Sequence, residues 1–563
     1  MSSYVRSDFD SLEKARRTPG SVRAGLAAVL LVGGCYMADA GAATCESLLA
    51  LKLPHTTINA AQSIPAGTYQ PPGSAVAFSN LPAFCRITAT VSPVPDSSID
   101  IEVWLPSSTW NGKYQQSGSH GWGGVFYWTE MTRQIQRGYA TGITSDGHGG
   151  PGGFNVSWAF GHPEKVTDFA WRAVHELAEK AKLLISAYYG HAQRYAYFNG
   201  CSNGGRQAMK SAQLFPHDFD GIIAGGAAAY FTNAATEQLV MSINLKNAGI
   251  QGASGAAVLS LAQKAATAAC DAQDGVVDGL IRDPRSCHWD PTTLVCKAGQ
   301  DPTTCFTPAQ AAAIKANVES VRDPVTGRWV FSGMSRGSEF DQIRFGYNLG
   351  LAPFAIATYQ VGLNDPNWNG TTFDLHTDLP RLNRALGDMN AIDPDLAPLR
   401  KAGVKLIQWH EWDDAAFTPG WTAKYYEQVV DETGHGSVES VQDFYRLFVL
   451  PGVGHCTGAT TDIGPDNIGG ENQTAASPDA QHDIVSALEA WVEHGHAPDK
   501  LIATQYNNPT DPTQGIKRQR PVCPYPAEAV YKGSGSINDA SSFFCAQPDQ
   551  DGKDSDQEHS KGD

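Results

Sequence analysis

Apolar residues alternate with polar positions at Ile99, Ile101, Val103 and Leu105 and stop at Pro106, which predicts a half-buried strand. A second strand is predicted near 139–143. From Val166 to Tyr189 the period changes. Phe169, Val174, Leu177, Ala178, Ala181, Leu184, Ile185 and Tyr188 recur at three and four, predicting an amphipathic helix of about six turns. The stretch 194–199 is a short Tyr/Phe strand that runs directly into Gly200-Cys201-Ser202-Asn203-Gly204-Gly205 and a helical stretch over 206–214. Compact apolar runs at 404–409 and 444–450 suit strands buried on both faces of a parallel sheet. A last helix is predicted over 480–494, with Ile484, Leu488, Trp491 and Val492 on one side. Alternating strands and helices imply a doubly wound α/β core with a mostly parallel sheet.

Between 226 and 399 the pattern shifts to Ala-rich helices, cysteine loops and Trp/Pro-rich irregular stretches. This reads as a large lid inserted between a first core segment, 44–225, and a second, 400–547. The tail 548–563 is polar and charged and is predicted to be disordered. Hydrophobic content is 42% and charged content 18%, as in a globular protein. The net charge of −17 and the lack of a Lys/Arg-rich stripe argue against a nucleic-acid partner. Oligomeric state is not legible.

Residues 1–43 read as an export leader: Arg16, Arg17 and Arg23, then an apolar run from Leu26 to Val32, then small residues. The run is shorter than the ~20 residues a transmembrane helix needs. Cleavage at Ala38-Asp39-Ala40 would give a secreted or periplasmic protein. Alternatively, Val32-Gly33-Gly34-Cys35 resembles a bacterial lipobox, which would lipidate Cys35 and anchor an outer-membrane lipoprotein. Eleven cysteines occur, so ten remain once Cys35 is set aside, an even number suited to an oxidising compartment. Proximity suggests Cys270 with Cys287, Cys296 with Cys305, and Cys523 with Cys545. Cys45 and Cys85 then pair near the mature N-terminus, leaving Cys201 for Cys456.

Strand, sharp turn and helix are the context of a nucleophile elbow, and Gly200 to Gly204 fits G-x-S-x-G with Ser202 as the nucleophile. Gly333-Met334-Ser335-Arg336-Gly337 fits the same pattern, but no strand is predicted to lead into it. A serine hydroxyl needs a base, and the base an orienting carboxylate. His455 follows the strand at 444–450 and neighbours Cys456, so a Cys201–Cys456 bond would staple the serine to the histidine. For the carboxylate, Glu411, Asp413 and Asp414 remain open on physical grounds. Two backbone N–H donors must meet the oxyanion, one from Asn203 and one from the turn Gly118 to Gly124. Cys201 as the nucleophile is a competing reading, set against its expected disulfide.

A second site is expected at Asp271, Asp274 and Asp278, three carboxylates within eight residues separated by glycines. With the backbone carbonyls of Val276 and Leu280 they form a hard oxygen set that favours a structural Ca²⁺, although the spacing is not that of an EF-hand. A solvated acidic turn is the plainer alternative. No His or Cys spacing suits zinc.

These motifs together resemble the tannase and feruloyl esterase family of α/β-hydrolases. The resemblance spans nearly the whole mature chain and includes Trp110-Asn111-Gly112, the 271–280 loop, His410 to Asp414, Gly454-His455-Cys456, Arg520 to Pro526, and Tyr531-Lys532-Gly533-Ser534-Gly535. It implies an α/β-hydrolase fold, a triad of Ser202, Asp414 and His455, oxyanion donors at Gly121 and Asn203, a Cys201–Cys456 disulfide and calcium in the lid. It also implies small aromatic esters as substrates: gallates, hydroxycinnamates or, as in one relative, mono(2-hydroxyethyl) terephthalate. Against the last, 349–368 holds no Arg or Lys, although Arg344 and Arg381 flank it; His410-Glu411 also departs from the usual His-Gly. Phe354, Tyr359, Trp368 and Phe417 are candidates to stack on the acid ring. A catalytically silent aromatic-ligand binding protein on the same fold is the reading from another class.

Overall fold

Nine strands form the central sheet, and the alternation along each decides which face its side chains serve. The computed structural model describes residues 43–547 except 323–326, 328, 351, 460 and 472. The strands are β1 (Thr56–Ile64), β2 (Phe84–Val91), β3 (Ile99–Pro106), β4 (Lys113–Ser117), β5 (Ala140–Thr144), β6 (Tyr195–Cys201), β7 (Gly221–Gly225), β8 (Lys405–Glu411) and β9 (Tyr445–Leu450). Their order in the sheet is β1-β2-β3-β5-β4-β6-β7-β8-β9. From β5 through β9 every pairing is parallel, whereas β1, β2 and β3 continue the sheet in antiparallel fashion.

The longer helices are α1 (Trp128–Gln136), α2 (Ala173–Tyr189), α3 (Asn203–Leu214), α4 (Phe231–Asn247), α5 (Gly252–Cys270), α6 (Pro308–Val318), α7 (Pro353–Leu363), α8 (Leu375–Leu386), α9 (Pro419–Glu432) and α10 (Ile484–His494). Period two splits β6 between both layers. Ala196 and Phe198 join the core with α2, α3 and α9, while Tyr197 and Cys201 join the core that buries Leu488 and Trp491 of α10. Burying each such large apolar side chain contributes about 1.5–3 kcal/mol. The last helix begins four residues later than predicted, because Asp483 caps it by accepting the Ser486 N–H at 3.2 Å.

The helix expected over 166–189 is interrupted. A π-helical turn at Asp168–Arg172 precedes α2 and releases the carbonyls of Phe169 and Ala170 to the buried guanidinium of Arg206, at 3.0 and 2.8 Å. Between β7 and β8, Phe231, Leu239, Phe354, Tyr359, Trp368 and Leu382 pack α4, α7 and α8 into a separate apolar cluster. All five expected disulfides are present: Cys45–Cys85, Cys201–Cys456, Cys270–Cys287, Cys296–Cys305 and Cys523–Cys545. Among the described residues no helix is long and apolar enough to cross a membrane. Residues 1–42, with Cys35, and the tail 548–563 lie outside the described residues.

Candidate active site

Ser202 stands between the end of β6 and the start of α3 with φ 64° and ψ −122°, a conformation that costs a non-glycine residue about 1–3 kcal/mol. The surroundings hold it there: its N–H donates to Gly225 O at 3.0 Å, and its carbonyl accepts from Arg206 and Ala228 at 3.0 and 3.2 Å. Small residues are compulsory at this bend. A Cβ on Gly200 would lie 2.8 Å from the Gly204 carbonyl carbon, and one on Gly118 would lie 2.5 Å from Gly204 Cα.

The sheet brings β6, β8 and β9 to one edge, so residues far apart in sequence meet. His455 Nε2 lies 2.9 Å from Ser202 Oγ, and His455 Nδ1 lies 2.8 Å from Asp414 Oδ2. Of the three carboxylates the sequence left open, Asp414 is the one that reaches His455. Its other oxygen accepts the N–H groups of Ala416 and Phe417 at 2.7 and 2.8 Å, and His410 Nε2 stands 3.2 Å from Oδ2. Burial pushes the Asp414 carboxyl up, but the charge on His455 and the hydrogen bonds from His410 and His455 outweigh it and hold the group below the ordinary range. Glu411 and Asp413 behave oppositely: both are fully buried, and burial, helped by the neighbouring carboxylates, raises each well above the ordinary range. Glu411 is spent on the Thr457 N–H at 3.2 Å.

Sequence reading missed Asp341. Its Oδ2 accepts the N–H of Ala415 at 2.8 Å and of His455 at 3.2 Å, joining the acid loop to the histidine loop. It lies in a short helix, Glu339–Arg344, just after Ser335. That second G-x-S-x-G does have a strand before it, Trp329–Phe331, which was not foreseen. The Ser335 carbonyl accepts the Ser338 hydroxyl at 2.7 Å, whereas His455 serves Ser202.

Gly121 and Asn203 line the same cavity as Ser202. Asn203 opens α3, where a helical N–H has no intrahelical acceptor, and among the described residues neither N–H has a hydrogen-bond partner. Gly121 has φ +56°, and a Cβ there would lie 2.7 Å from Gly153 O. Side chains lock the turn to α3. Ser119 N–H donates to Gln207 at 3.0 Å, Asn203 Nδ2 donates to Ser119 Oγ at 2.9 Å, and Arg206 Nε donates to Asn203 Oδ1 at 2.7 Å. Asp146 completes this network through Ser119 and Gln207. Such an arrangement can hold a nucleophile and a base beside two backbone N–H groups on one cavity.

A cavity of about 350 Å³ opens over Ser202 and His455. Phe354 and Phe417 line it as expected, joined by Phe154, Phe231, Phe345 and Tyr347, which periodicity could not single out from core aromatics. Tyr359 and Trp368 do not line it: their rings stack on each other at 4.7 Å inside the lid cluster. Arg344 lines the cavity, and Arg381 instead pairs with Asp378 at 3.2 Å.

In the acidic loop, the Asp271 carboxylate accepts the N–H groups of Asp278 and Gly279, both at 3.1 Å, and Asp274 accepts that of Val276 at 3.0 Å. Asp278 accepts the Leu280 N–H at 3.1 Å and pairs with Arg520. Burial raises Asp274, and Asp278 and Asp271 add to the rise. Among the described residues, the group of three His, Cys, Asp or Glu whose ligand atoms lie within 4.8 Å of one another is His410, Glu411 and Asp414. Of these, Asp414 already serves His455, His410 stands against Asp414, and Glu411 accepts the Thr457 N–H.

The family model described as tannase and feruloyl esterase matches residues 85–546. An uncharacterized esterase of Xanthomonas campestris pv. campestris is 34% identical over 542 residues, 91% of this chain and 93% of that protein. A protein of Aspergillus terreus named "Probable feruloyl esterase B-2" is 31% identical over 92% of this chain and 98% of its own length. The crystal structure of feruloyl esterase B from Aspergillus oryzae superposes with a TM-score of 0.82 at 30% identity, covering 89% of this chain and 99% of that one.

Proposed function

Because this chain belongs to the tannase and feruloyl esterase family, we propose that it is an exported serine esterase that cleaves feruloyl- or galloyl-type aromatic carboxylic esters through an acyl-enzyme on Ser202. The observation that carries the reading is the hydrogen-bond relay from Ser202 Oγ through His455 to Asp414, opening on a cavity lined by aromatic rings.

The aromatic acid lies against Phe354 and Phe417, with the ester carbonyl over Ser202. His455 Nε2 takes the Oγ proton as Oγ bonds to the carbonyl carbon. Asp414 keeps Nδ1–H aimed and stabilises the imidazolium. The oxygen that becomes negative is met by the N–H groups of Gly121 and Asn203, each worth about 10²–10³ in kcat for such a donor. Collapse breaks the ester C–O bond, and the imidazolium returns its proton to the departing alcohol. Water, deprotonated by His455 in turn, then releases the acid and restores Ser202.

Export is supported by the five disulfides, which persist in oxidising compartments. Calcium is proposed for the 271–280 loop, because the donors there are all hard oxygens and the mutual repulsion that helps raise Asp274 is what a divalent cation relieves. Asp271, Asp274 and Asp278, with the carbonyls of Val276 and Leu280, would hold it. Arg520 would share Asp278, and the ion would brace the loop beside Cys270–Cys287.

A terephthalate half-ester is a second reading, favoured by Arg344 at the cavity wall. One of its nitrogens is committed to Asp341 and the His455 carbonyl at 3.1 and 3.0 Å, leaving the other N–H groups for a free carboxylate. A serine-directed phosphonate should label the wild type and not Ser202→Ala. Absence of both label and p-nitrophenyl ester hydrolysis in the wild type would instead leave an aromatic-ligand binding protein. Rates on methyl gallate, methyl ferulate, chlorogenate and mono(2-hydroxyethyl) terephthalate separate the substrate readings.

A further inference from the structure

One buried carboxylate ties together the segments that build the site. Glu471 is 3% exposed. Its Oε2 accepts the backbone N–H of Cys201 at 2.6 Å, and its Oε1 meets His120 Nε2 at 2.9 Å. Cys201 precedes the nucleophile and is bonded to Cys456, the neighbour of His455. His120 stands between Ser119, which is pinned to α3, and Gly121, and its ring lines the cavity with Ser202. A desolvated carboxylate persists where hydrogen bonds and an opposite charge offset the loss of water. Both oxygens of Glu471 find theirs on the two segments that build the site: the end of β6 at the nucleophile elbow and the oxyanion turn.

We propose that Glu471 is a positioning residue for ester hydrolysis, fixing the oxyanion turn against the nucleophile elbow through the His120 ring and the Cys201 N–H. This rests on the reading of Ser202 as nucleophile with Gly121 and Asn203 as donors. The turn is otherwise held to α3 from its Ser119 side alone, through Gln207 and Asn203. Without the second strut the turn keeps the Trp122 N–H bond to Gly153 O at 2.8 Å but loses its tie to the nucleophile elbow, which lets the Gly121 N–H shift from the place where charge develops. A shift of about 1 Å there costs about 10²-fold in rate.

The strut carries its own pH dependence. The groups facing His120 are Glu471, Glu130 with its partner Arg133 at 3.6 Å, and Tyr127, whose ring meets it edge-on at 4.7 Å. Burial pulls the His120 imidazole down, but the charge and hydrogen bond of Glu471 and the charge of Glu130 outweigh it, so the ring stays protonated above its ordinary value. The ion pair is therefore lost as pH rises through that raised value, which gives kcat an alkaline limb distinct from the acid limb of the general base.

Glu471→Gln keeps an acceptor for Cys201 N–H but offers His120 an amide instead of a charge. Expected are a kcat about 10- to 100-fold lower, a KM within about threefold of wild type, an unchanged melting temperature, slower phosphonate labelling of Ser202, and loss of the alkaline limb. His120→Asn leaves the Glu471–Cys201 bond in place and should act in the same direction, so it carries the test if Glu471→Gln does not fold. Wild-type kcat and an intact alkaline limb in the folded variants would overturn the proposal, as would a change confined to KM. A wild type that neither labels nor hydrolyses esters would instead overturn the esterase reading on which it rests.

Discussion

Removing the Cys201–Cys456 bridge, as the double variant Cys201→Ala/Cys456→Ala, separates its contribution to stability from its contribution to geometry. The bond closes a loop of 255 residues. On the chain-entropy account this restricts the unfolded state by about 5 kcal/mol at 25 °C. The bridges Cys270–Cys287 and Cys296–Cys305 shorten that loop by 17 and 9 residues, which enters through a logarithm and changes the figure by only about 0.1 kcal/mol. With about 2.1 cal/mol/K of unfolding entropy per residue over about 500 residues, the melting temperature should fall by about 5 °C. Calorimetry at one scan rate is the appropriate measurement, since chains of this size often unfold irreversibly. His455 keeps its bonds to Asp414 and Asp341 in the variant, so it is loosened without being lost. The expected kcat is about 10- to 100-fold below wild type, with KM nearly unchanged. A folded variant with a melting temperature within about 1 °C of wild type and a kcat within about twofold would refute the idea that this bond keeps serine and histidine in register.

Asp414→Asn should lower kcat by about 10⁴ because the imidazole loses its orienting carboxylate, whereas Asp413→Asn, which replaces a buried acid that does not reach His455, should stay within about threefold; steady-state kinetics at neutral pH decides between them. Chelation with EGTA should lower the melting temperature by about 3 °C, as expected for loss of a cation present at about a hundredfold over its Kd, and Asp274→Asn should be less stable and insensitive to the chelator. An EGTA-independent melting curve would speak against the ion. Stability should also fall between about pH 4.5 and 7.5. Burial raises Asp146 and Asp341 to about 6, and Glu237, Glu339 and Asp462 to about 7. The folded protein therefore holds protons that the unfolded chain has already released, and the stability present below the unfolded values is lost as pH rises through the folded ones. A melting temperature that is flat or rising across that window contradicts the assignment.

Much of the scaffold was legible because its signals are local. Period two at 99–106, the change to period 3.6 after 166, and the small residues around Ser202 each report on backbone geometry within a few positions. The π-helical turn at 168–172 was not legible, because it exists to offer two carbonyls to Arg206, which lies in another helix. Glu471 was invisible for a similar reason: it sits in a loop without periodicity, and its partners are 270 and 351 positions away. Phe231 and Phe345 look like Tyr359 and Trp368 in sequence, and only packing separates cavity wall from lid core.

The sequence by itself determined that a serine stands on a strained turn between a strand and a helix, since small residues at Gly200, Gly204 and Gly205 are a steric requirement of that bend. It also suggested that a histidine with a neighbouring cysteine returns to that serine, because pairing the nearer cysteines leaves Cys201 and Cys456 for each other, and the tertiary structure decided it. Which of three adjacent acids serves the histidine was decided on physical grounds by the tertiary structure alone. Glu411, Asp413 and Asp414 differ by at most three positions, and the direction in which each leaves the end of β8 is set by contacts with Ala416, Phe417, Thr457 and Val453. Those contacts hold one carboxylate below the ordinary range against His455 and leave two others raised by burial in the surrounding core.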